Sequence, residues 1–273
     1  MKKFLKFSLL MAAVLSMLAL AGCGGDGEKK AAKNDAPLKV GVTPGPHAEV
    51  MDEVKKIAEK KGLKIQVIEF SDYVTPNSAL ADGEIDVNSF QHQPYLDNVV
   101  KDRGYKLVSV AKTMIFPIGI YSKKIKDIKD VGDNAVITLP NDPTNGGRAL
   151  VLLEKVGLIK LKDGLGIKAT PADIVENKKN LKIIESEAAQ IPRTLDDVTI
   201  AAINCNYAMS AGLVPAKDAL AREDSNSPYA NILVTRENMK DDPRVKKLIE
   251  AYHSPEIKKF VNEHFGGSAF PTW

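Results

Sequence analysis

Short apolar segments alternate with segments of helical periodicity along most of the chain, and this alternation restricts the fold more than any other feature. The apolar segments have the length of buried strands, and the intervening segment 47–62 places Val50, Val54 and Ile57 on one helical face. Such alternation is typical of βαβ units. We therefore predict an α/β fold with mostly parallel sheets and helices on both faces. The first strands are predicted at 38–43, 63–70, 85–90 and 105–113.

The alternation restarts near residue 116 and predicts a second α/β unit. The run "AVITLP" (135–140) predicts a strand, the segment 145–156 a helix, and "SPYANILVTRE" (227–237) a long later strand. The last segment, 241–267, again has helical periodicity. Two units of about 100 residues have ordinary domain size, so we predict two lobes. The predicted boundaries are 37–121 with 230–273 for the first lobe, and 122–229 for the second.

The first 36 residues predict an export signal and a tether. Lysines in "MKKFLKF" precede a short apolar run, which is typical of a signal peptide over residues 1–22. The run ends in "LAGC", which resembles the lipobox of bacterial lipoproteins and makes Cys23 the lipidated residue. Residues 23–36 are small and polar and predict a flexible tether. We therefore expect a body held by lipid on the extracytoplasmic face of the cell membrane; a plain signal peptide or an uncleaved anchor helix is the alternative.

Charge and cysteine content argue against several classes of protein. Three of the 38 Lys and Arg residues lie in the signal peptide, so the remaining 35 balance 35 acids. A neutral body does not favour a nucleic-acid partner, which requires a basic face. The chain has two cysteines, and with Cys23 lipidated Cys205 has no disulfide partner.

The residues that follow the predicted strands are the candidates for a binding site, because ligands of open α/β sheets bind outside the carboxyl ends of the strands. These segments are rich in aromatic and amide side chains and poor in acids. They are 43–46, 71–73, 90–92, 141–148 and 204–206.

These candidates do not match a catalytic or cofactor motif. Cys205 follows a predicted strand and His92 lies in another such segment, but no G-x-S-x-G turn is present. The four histidines lack metal-binding spacing, and the glycine motifs do not match those that bind nucleotides. We predict a protein that is not an enzyme and uses no metal and no cofactor, with an enzyme built on Cys205 as the alternative.

The motif "NDPTNGGR" places Arg148 in the first turn of a predicted helix, where the helix dipole disfavours a cation. An anion held jointly by Arg148 and the helix N-terminus would remove this conflict. We predict Asn145 as the N-cap, and Gly146 and Gly147 as positions where a ligand approaches the backbone. Pairing of Arg148 with Asp142 or another acid explains the motif equally well.

Three further side chains each have two interpretations. Tyr73 and Phe90 either wall an apolar pocket or pack in the core. His92 either donates to a ligand carboxylate or is hydrogen-bonded within its loop.

Several long segments together resemble one protein family. The segments are "DYVTPNSALADGEIDVNSFQHQPYLDNVVKDRGYKLV" (72–108), "NDPTNGGRALVLLEKVGLIKLKDG" (141–164), "IPRTLDD" (191–197) and "SPYANILVTRE" (227–237). With them the sequence is similar, from the lipobox to Trp273, to the NlpA family of methionine-binding lipoproteins. The resemblance implies a periplasmic-binding-protein fold of type II, with two lobes joined by a hinge that close on a free amino acid. It also implies the permease and ATPase of an ABC importer as partners.

The resemblance also implies a set of binding residues. It assigns the carboxylate clamp to Arg148, an aromatic pocket to the segments around residues 73 and 90, and amide contacts to Asn204 and Asn231. The sequence departs from the family pattern at Cys205-Asn206 and at Gly146-Gly147, which puts the identity of the ligand in doubt. With two additions of our own, the predicted ligand-binding residues are Tyr73, Phe90, His92, Tyr95, Asn145, Arg148, Asn204 and Asn231.

These expectations combine into one functional hypothesis. The chain is predicted to be a monomeric, lipid-anchored substrate-binding protein that captures L-methionine between its lobes and delivers it to the permease. A binder of D-methionine or of a methionine-containing dipeptide is the alternative within this class. A surface adhesin-type lipoprotein without a transport role is the alternative from another class.

Overall fold

The computed structural model describes residues 36–273, of which Pro37–Trp273 form one unit. The predictions for the signal peptide, for Cys23 and for the tether up to residue 35 lie outside the described residues. Within residues 36–273, no helix is both long and apolar enough to cross a membrane.

The secondary structure follows the predicted alternation, with helix and strand ends mostly within two residues of the expected positions. The strands are β1 Leu38–Val42, β2 Ile65–Glu69, β3 Val87–His92, β4 Leu107–Ile115, β5 Gly119–Tyr121, β6 Val136–Pro140, β7 Lys160–Leu161, β8 Ile174–Glu176, β9 Lys182–Ser186, β10 Ile200–Ile203, β11 Ala221–Arg222, β12 Ala230–Arg236 and β13 Phe270–Pro271. The helices are α1 Pro46–Lys60, α2 Thr75–Asp82, α3 Gln93–Arg103, α4 Pro143–Lys155, α5 Cys205–Ser210, α6 Pro215–Asp218, α7 Pro243–Tyr252 and α8 Pro255–Phe265.

The first sheet has six strands in the order β13-β4-β12-β3-β1-β2. Strand β1 pairs in parallel with β2 and with β3, as the βαβ pattern predicts. Strand β12 returns late in the chain and inserts between β3 and β4, antiparallel to both. Strands β1 to β4 therefore run in the same direction, as expected, whereas β12 and β13 run opposite to them and make the sheet mixed.

The second sheet has five strands in the order β11-β5-β10-β6-β9. Strands β6, β9 and β10 run in parallel, whereas β5 is antiparallel to both β10 and β11. Strand β5, which the sequence assigns to the first lobe, thus pairs within the second sheet. Residues 116–118 and 223–229 are the two segments that connect the sheets within the described part of the chain.

Each sheet has its own apolar core. In the first, Val50, Met51 and Val54 of α1 pack in one cluster with Val40 and the other buried residues of β1. In the second, Leu150 and Leu153 of α4 pack in one cluster with Ile137 of β6. Burial of one helical face against a sheet is the stabilising arrangement for amphipathic helices. Two further apolar clusters, one drawn mainly from each sheet, complete the cores of the two lobes.

Candidate functional site

The eight side chains predicted to bind a ligand line one cavity. Tyr73, Phe90, His92, Tyr95 and Asn231 belong to the segments of the first sheet, and the others to the second. The cavity thus lies where residues of the two lobes meet. Most of the lining residues lie at or after the carboxyl ends of strands, as the general rule for α/β sheets requires, whereas Asn231 lies at the amino end of the antiparallel strand β12. The residues from the second sheet are Asn145, Arg148 and Asn204.

Arg148 is 3% exposed and its guanidinium is held from several directions. Its Nε donates to Glu223 Oε1 at 2.6 Å, and its NH2 group donates to the second oxygen of the same carboxylate. NH2 also donates to the carbonyl of Phe116 at 2.9 Å, and the guanidinium carbon lies 4.6 Å from the centre of the Tyr229 ring. Arg148 is therefore paired with an acid, but in the interior rather than on the surface.

The first turn of α4 differs from the expected arrangement. The N-cap is Asp142, whose Oδ1 accepts from the backbone nitrogen of Asn145 at 2.9 Å, and Pro143 occupies the first helical position. The prediction of Asn145 as the N-cap is wrong, because Asp followed by Pro is the stronger start signal. The negative charge at this helix end is thus supplied by the protein itself.

The two glycines of α4 serve close packing within the protein. A Cβ on Gly147 would lie 1.9 Å from the carbonyl oxygen of Ile167, and one on Gly146 would lie 2.7 Å from that of Pro140. The hypothesis that these glycines admit a ligand to the backbone is therefore wrong. They allow α4 to approach its own lobe, which fixes the position of Arg148 one residue later.

Asn145 connects side chains from both lobes. Its Nδ2 donates to both carboxylate oxygens of Asp142, at 3.1 and 2.9 Å, which fixes the orientation of the amide. Its Oδ1 accepts from Asn204 Nδ2 at 3.0 Å and lies 3.3 Å from His92 Nε2. Arg148 NH1 is 3.4 Å from the same oxygen. Asn145 therefore aligns three neighbouring polar groups around the cavity.

His92 is the N-cap of α3, and this role sets its tautomer. The backbone nitrogen of Tyr95 donates to His92 Nδ1 at 3.2 Å, so the proton of the neutral ring is on Nε2, which points at Asn145 Oδ1. Burial, together with the charge of Arg148, lowers the pKa of His92 to about 3. The ring is therefore neutral and donates a hydrogen bond without adding charge.

A second buried histidine, His47 at the start of α1, also lines the cavity. Burial lowers its pKa to about 3. Asn231 Nδ2 donates to His47 Nε2 at 2.8 Å and to the carbonyl of Phe90 at 3.1 Å. His47 Nδ1 then carries the proton and donates to Thr43 Oγ1 at 2.7 Å. Because the nitrogen of the Asn231 amide is doubly engaged, its Oδ1 is the remaining acceptor.

Aromatic side chains form one wall of the cavity. The Tyr73 ring lies 5.8 Å from that of Phe90 and 6.2 Å from that of Tyr95. The Tyr95 hydroxyl donates to the backbone carbonyl of Tyr73 at 2.8 Å, and the Tyr73 hydroxyl donates to Asn206 Oδ1 at 2.5 Å. Burial raises the pKa of the Tyr73 hydroxyl, which stays protonated as a donor. The hydroxyl groups of both tyrosines are thus hydrogen-bonded within the protein.

Asn204, directly after β10, carries a buried acceptor without a partner. Its Nδ2 donates to Asn145, whereas its Oδ1 has no hydrogen-bond partner in the described part of the chain. A buried amide oxygen that remains unpaired is destabilising by about 1–3 kcal/mol. Such an atom at a cavity wall is suited to accept a hydrogen bond from a bound ligand.

Cys205 does not have the properties of a nucleophile. The thiol is buried, contacts the carbonyl of Ser268 at 3.4 Å, and burial raises its pKa to about 12. A thiol with so high a pKa is protonated at neutral pH and unreactive. Among residues 36–273, no three His, Cys, Asp or Glu side chains are arranged to hold a metal ion.

The structure adds residues to the site that the sequence reasoning missed. His47 follows "PGP" at the end of β1 and was within reach of the strand-end rule, as was Asn206 after β10. Phe116 lies in a connecting segment and Glu223 is 75 positions from Arg148, so no local pattern indicates either.

Comparison with known proteins gives consistent matches over the described chain. A family described as NlpA lipoprotein matches residues 38–273. The D-methionine-binding lipoprotein MetQ of Salmonella typhimurium is 52% identical, covering 99% of each chain, and that of Escherichia coli K12 is 50% identical with the same coverage. A nutrient binding protein from Burkholderia cenocepacia, solved bound to methionine, is 55% identical with a TM-score of 0.84, covering 86% of this chain and 100% of its own. The predicted class, two α/β lobes joined by a hinge as in type II periplasmic binding proteins, is confirmed.

Proposed function

The chain belongs to the NlpA lipoprotein family, and from this premise we propose that it is the substrate-binding component of a methionine ABC importer. It binds free methionine in the cavity between its lobes and performs no covalent chemistry. The observation that carries this proposal is the presence, in one cavity, of a buried guanidinium at Arg148 and an unpartnered buried acceptor at Asn204.

These two groups suit the two charged ends of an amino acid. The NH1 group of Arg148 makes one long contact of 3.4 Å within the protein, to Asn145 Oδ1. It is therefore the guanidinium nitrogen that is most available to donate to a ligand carboxylate. The amide oxygens of Asn204 and Asn231 are the acceptors for an ammonium group. His92 and Asn145 hold these groups in place through the hydrogen bonds described above.

The aromatic wall supports methionine over a more polar side chain. Tyr73, Phe90 and Tyr95 form one face. On another part of the lining, the centre of the Phe116 ring lies 4.4 Å from that of the His47 ring, with the two rings tilted by 58°. A thioether is apolar and polarizable, and each sulfur–aromatic contact stabilises by about 0.3–1.5 kcal/mol. Asn206, which also lines the cavity, accepts from the Tyr73 hydroxyl and donates to Thr43 Oγ1, and these contacts fix the Tyr73 ring.

The position of the cavity supports closure of the lobes around the ligand. We propose lobes divided at residues 116–118 and 223–229, close to the boundaries predicted from the sequence. Ligand contacts to both lobes then shift the population towards a closed form. We further propose a monomer that is lipid-anchored at Cys23 on the extracytoplasmic face of the membrane, where it docks onto the permease and its ATPase.

The enantiomer is a finer question within the same site. We propose L-methionine as the ligand, and we retain D-methionine as the second candidate because both relatives named above are called D-methionine-binding lipoproteins. The amide oxygens of Asn204 and Asn231 accept from the ammonium group, and Arg148 donates to the carboxylate. With these two groups held in place, the enantiomers differ only in the side of the Cα atom on which the thioether side chain lies.

The test is calorimetric titration of purified protein after partial unfolding has removed any bound small molecule, which is itself identified by mass spectrometry. L-methionine, D-methionine, methionyl dipeptides, leucine and phenylalanine are compared in parallel. We expect the free methionine enantiomers to bind most tightly and to raise the melting temperature by mass action. A protein that gives neither heat nor a thermal shift with any of these ligands contradicts the proposal and favours the adhesin-type alternative.

A further inference from the structure

The carboxylate of Glu223 does not line the cavity itself, but it pairs directly with Arg148, which does. It accepts from two nitrogens of Arg148, and the side chains of Arg148 and Glu223 are 3% and 12% exposed. Glu223 Oε2 also accepts from the backbone nitrogen of Ile118 at 3.1 Å and lies 3.4 Å from Ser227 Oγ. These contacts fix the carboxylate between the two segments that connect the lobes.

This pairing determines which part of Arg148 faces a ligand. Nε and NH2 donate to Glu223, and NH2 is further engaged by the carbonyl of Phe116 at 2.9 Å. NH1 is left with the 3.4 Å contact to Asn145. A ligand carboxylate therefore approaches a guanidinium that already has an anion on its opposite edge.

The pairing also sets the net charge of the site. Arg148 is the one charged side chain among the described residues that line the cavity, since the lowered pKa values of His47 and His92 keep both rings neutral. Asp142 lies behind Asn145, partly exposed, and caps the positive end of α4. With Glu223 included, the buried guanidinium is neutralised before any ligand enters.

We propose that Glu223 is a specificity-determining residue that makes the site favour a zwitterion over the corresponding carboxylic acid without an ammonium group. This inference rests on the proposed function. A neutral site that encloses a zwitterion remains neutral. The same site that encloses a carboxylic acid acquires an uncompensated buried negative charge, which is strongly unfavourable.

Replacement of Glu223 reverses this preference by simple electrostatics. In Glu223→Gln the guanidinium keeps a similar hydrogen-bonding neighbour, but the site carries one net positive charge. A carboxylate ligand without an ammonium group now neutralises the site, whereas a ligand with a net positive charge is repelled. The preference among ligands of equal shape and different charge is thus the quantity that Glu223 controls.

The experiment titrates the stripped full-length protein with three ligands of matching shape. Methionine is net neutral, 4-(methylthio)butanoate lacks the ammonium, and methioninamide lacks the carboxylate charge. In Glu223→Gln we expect the affinity ratio of 4-(methylthio)butanoate to methionine to rise by about tenfold or more, and that of methioninamide to fall. Asp224→Asn is the matched control, since it removes the same charge from the next position, where Asp224 is 74% exposed and pairs with Lys155.

The outcomes separate this inference from the function on which it rests. A Glu223→Gln protein that binds methionine with wild-type ligand ratios overturns the inference and leaves the proposed function intact. Wild-type protein that binds no methionine overturns both. If Glu223→Gln does not fold, Glu223→Asp decides the matter, because the charge is kept and only its position changes. Wild-type ratios in Glu223→Asp support control by charge, and a tenfold departure overturns it.

Discussion

The Nδ2 atom of Asn231 lies 2.8 Å from the Nε2 atom of His47, and this hydrogen bond joins the strand that returns to the first sheet to the first helix of the same lobe. The second proton of that amide nitrogen is directed to the carbonyl of Phe90. The Asn231 amide therefore has one orientation, with its oxygen left for other partners. A neutral histidine is necessary for this arrangement, because a protonated ring cannot accept at Nε2.

Replacement of His47 by Phe tests this arrangement. The variant keeps a ring of similar size and removes the acceptor for Asn231. We expect the affinity for methionine to fall by about 1–2 kcal/mol, because the Asn231 amide is then free to rotate. Calorimetric titration measures the change. His253→Phe is the control, because His253 Nε2 hydrogen-bonds the backbone carbonyl of Lys112 at an exposed position. Equal affinities in the two variants would show that Asn231 does not require His47.

Removal of the Arg148 guanidinium tests the carboxylate contact. In Arg148→Ala we expect a loss of about 2–4 kcal/mol in binding free energy, because the ligand carboxylate is left desolvated and unpaired. The variant also leaves Glu223 unpaired, so the double variant Arg148→Met, Glu223→Gln, which removes both charges, is measured beside it. Circular dichroism checks the fold of each. Wild-type affinity in a folded Arg148→Ala protein would refute the contact.

The two buried histidines predict a pH-dependent stability. Burial lowers the pKa of His47 and of His92 to about 3, from an ordinary value of 6.5. Between these values the unfolded chain binds more protons than the folded chain. The contribution of the two histidines to the free energy of unfolding is therefore fully present above about pH 6.5 and is lost progressively as the pH decreases. At pH 5 we expect a loss of about 2 kcal/mol for each histidine relative to pH 7.

Urea unfolding between pH 7.5 and pH 5 measures this slope. The variant with both His47→Phe and His92→Phe is expected to have a flatter dependence in this range, whereas His253→Phe keeps the wild-type slope. Parallel curves for the wild type and the double variant would mean that these rings are not the source of the dependence.

The close approach of α4 to its lobe predicts a large effect of one methyl group. Gly147→Ala places Cβ 1.9 Å from the Ile167 carbonyl oxygen, so the backbone must shift. We expect the free energy of unfolding to decrease by about 1–3 kcal/mol, and methionine affinity to decrease because Arg148 moves with the helix. Gly132→Ala is the control, because its Cβ meets nothing within 4 Å. Thermal unfolding with equal melting temperatures for both variants would contradict this account.

Most of the secondary structure and the location of the site follow from sequence, for identifiable reasons. The βαβ periodicity placed β1 to β4 and their helices, and the strand-end rule selected segments that converge on the cavity. The insertion of β12 between β3 and β4 could not be predicted, because the sequence of a strand does not indicate which other strands it pairs with. The error at Asn145 arose from reading the amide rather than the Asp142-Pro143 pair as the helix start.

Pairs distant in sequence were the other limit of sequence reasoning. Arg148 was identified as needing an anion, but its partner Glu223 lies in a segment without any distinctive pattern. The same holds for the contact between Asn231 and His47, which are 184 positions apart. Individual polar residues at strand ends can be predicted from sequence, whereas the hydrogen bonds that orient them join segments far apart in the chain.

Arg148 is fastened to both of the segments that link the lobes, through the Phe116 carbonyl in one and the Glu223 carboxylate in the other. A rotation of the lobes that moves either connecting segment away from α4 must break a hydrogen bond to the charged guanidinium of Arg148. The residue proposed to bind the ligand carboxylate, Arg148, is therefore also the residue that contacts both connecting segments. A ligand that binds Arg148 would therefore contact the same residue that holds both connecting segments to α4.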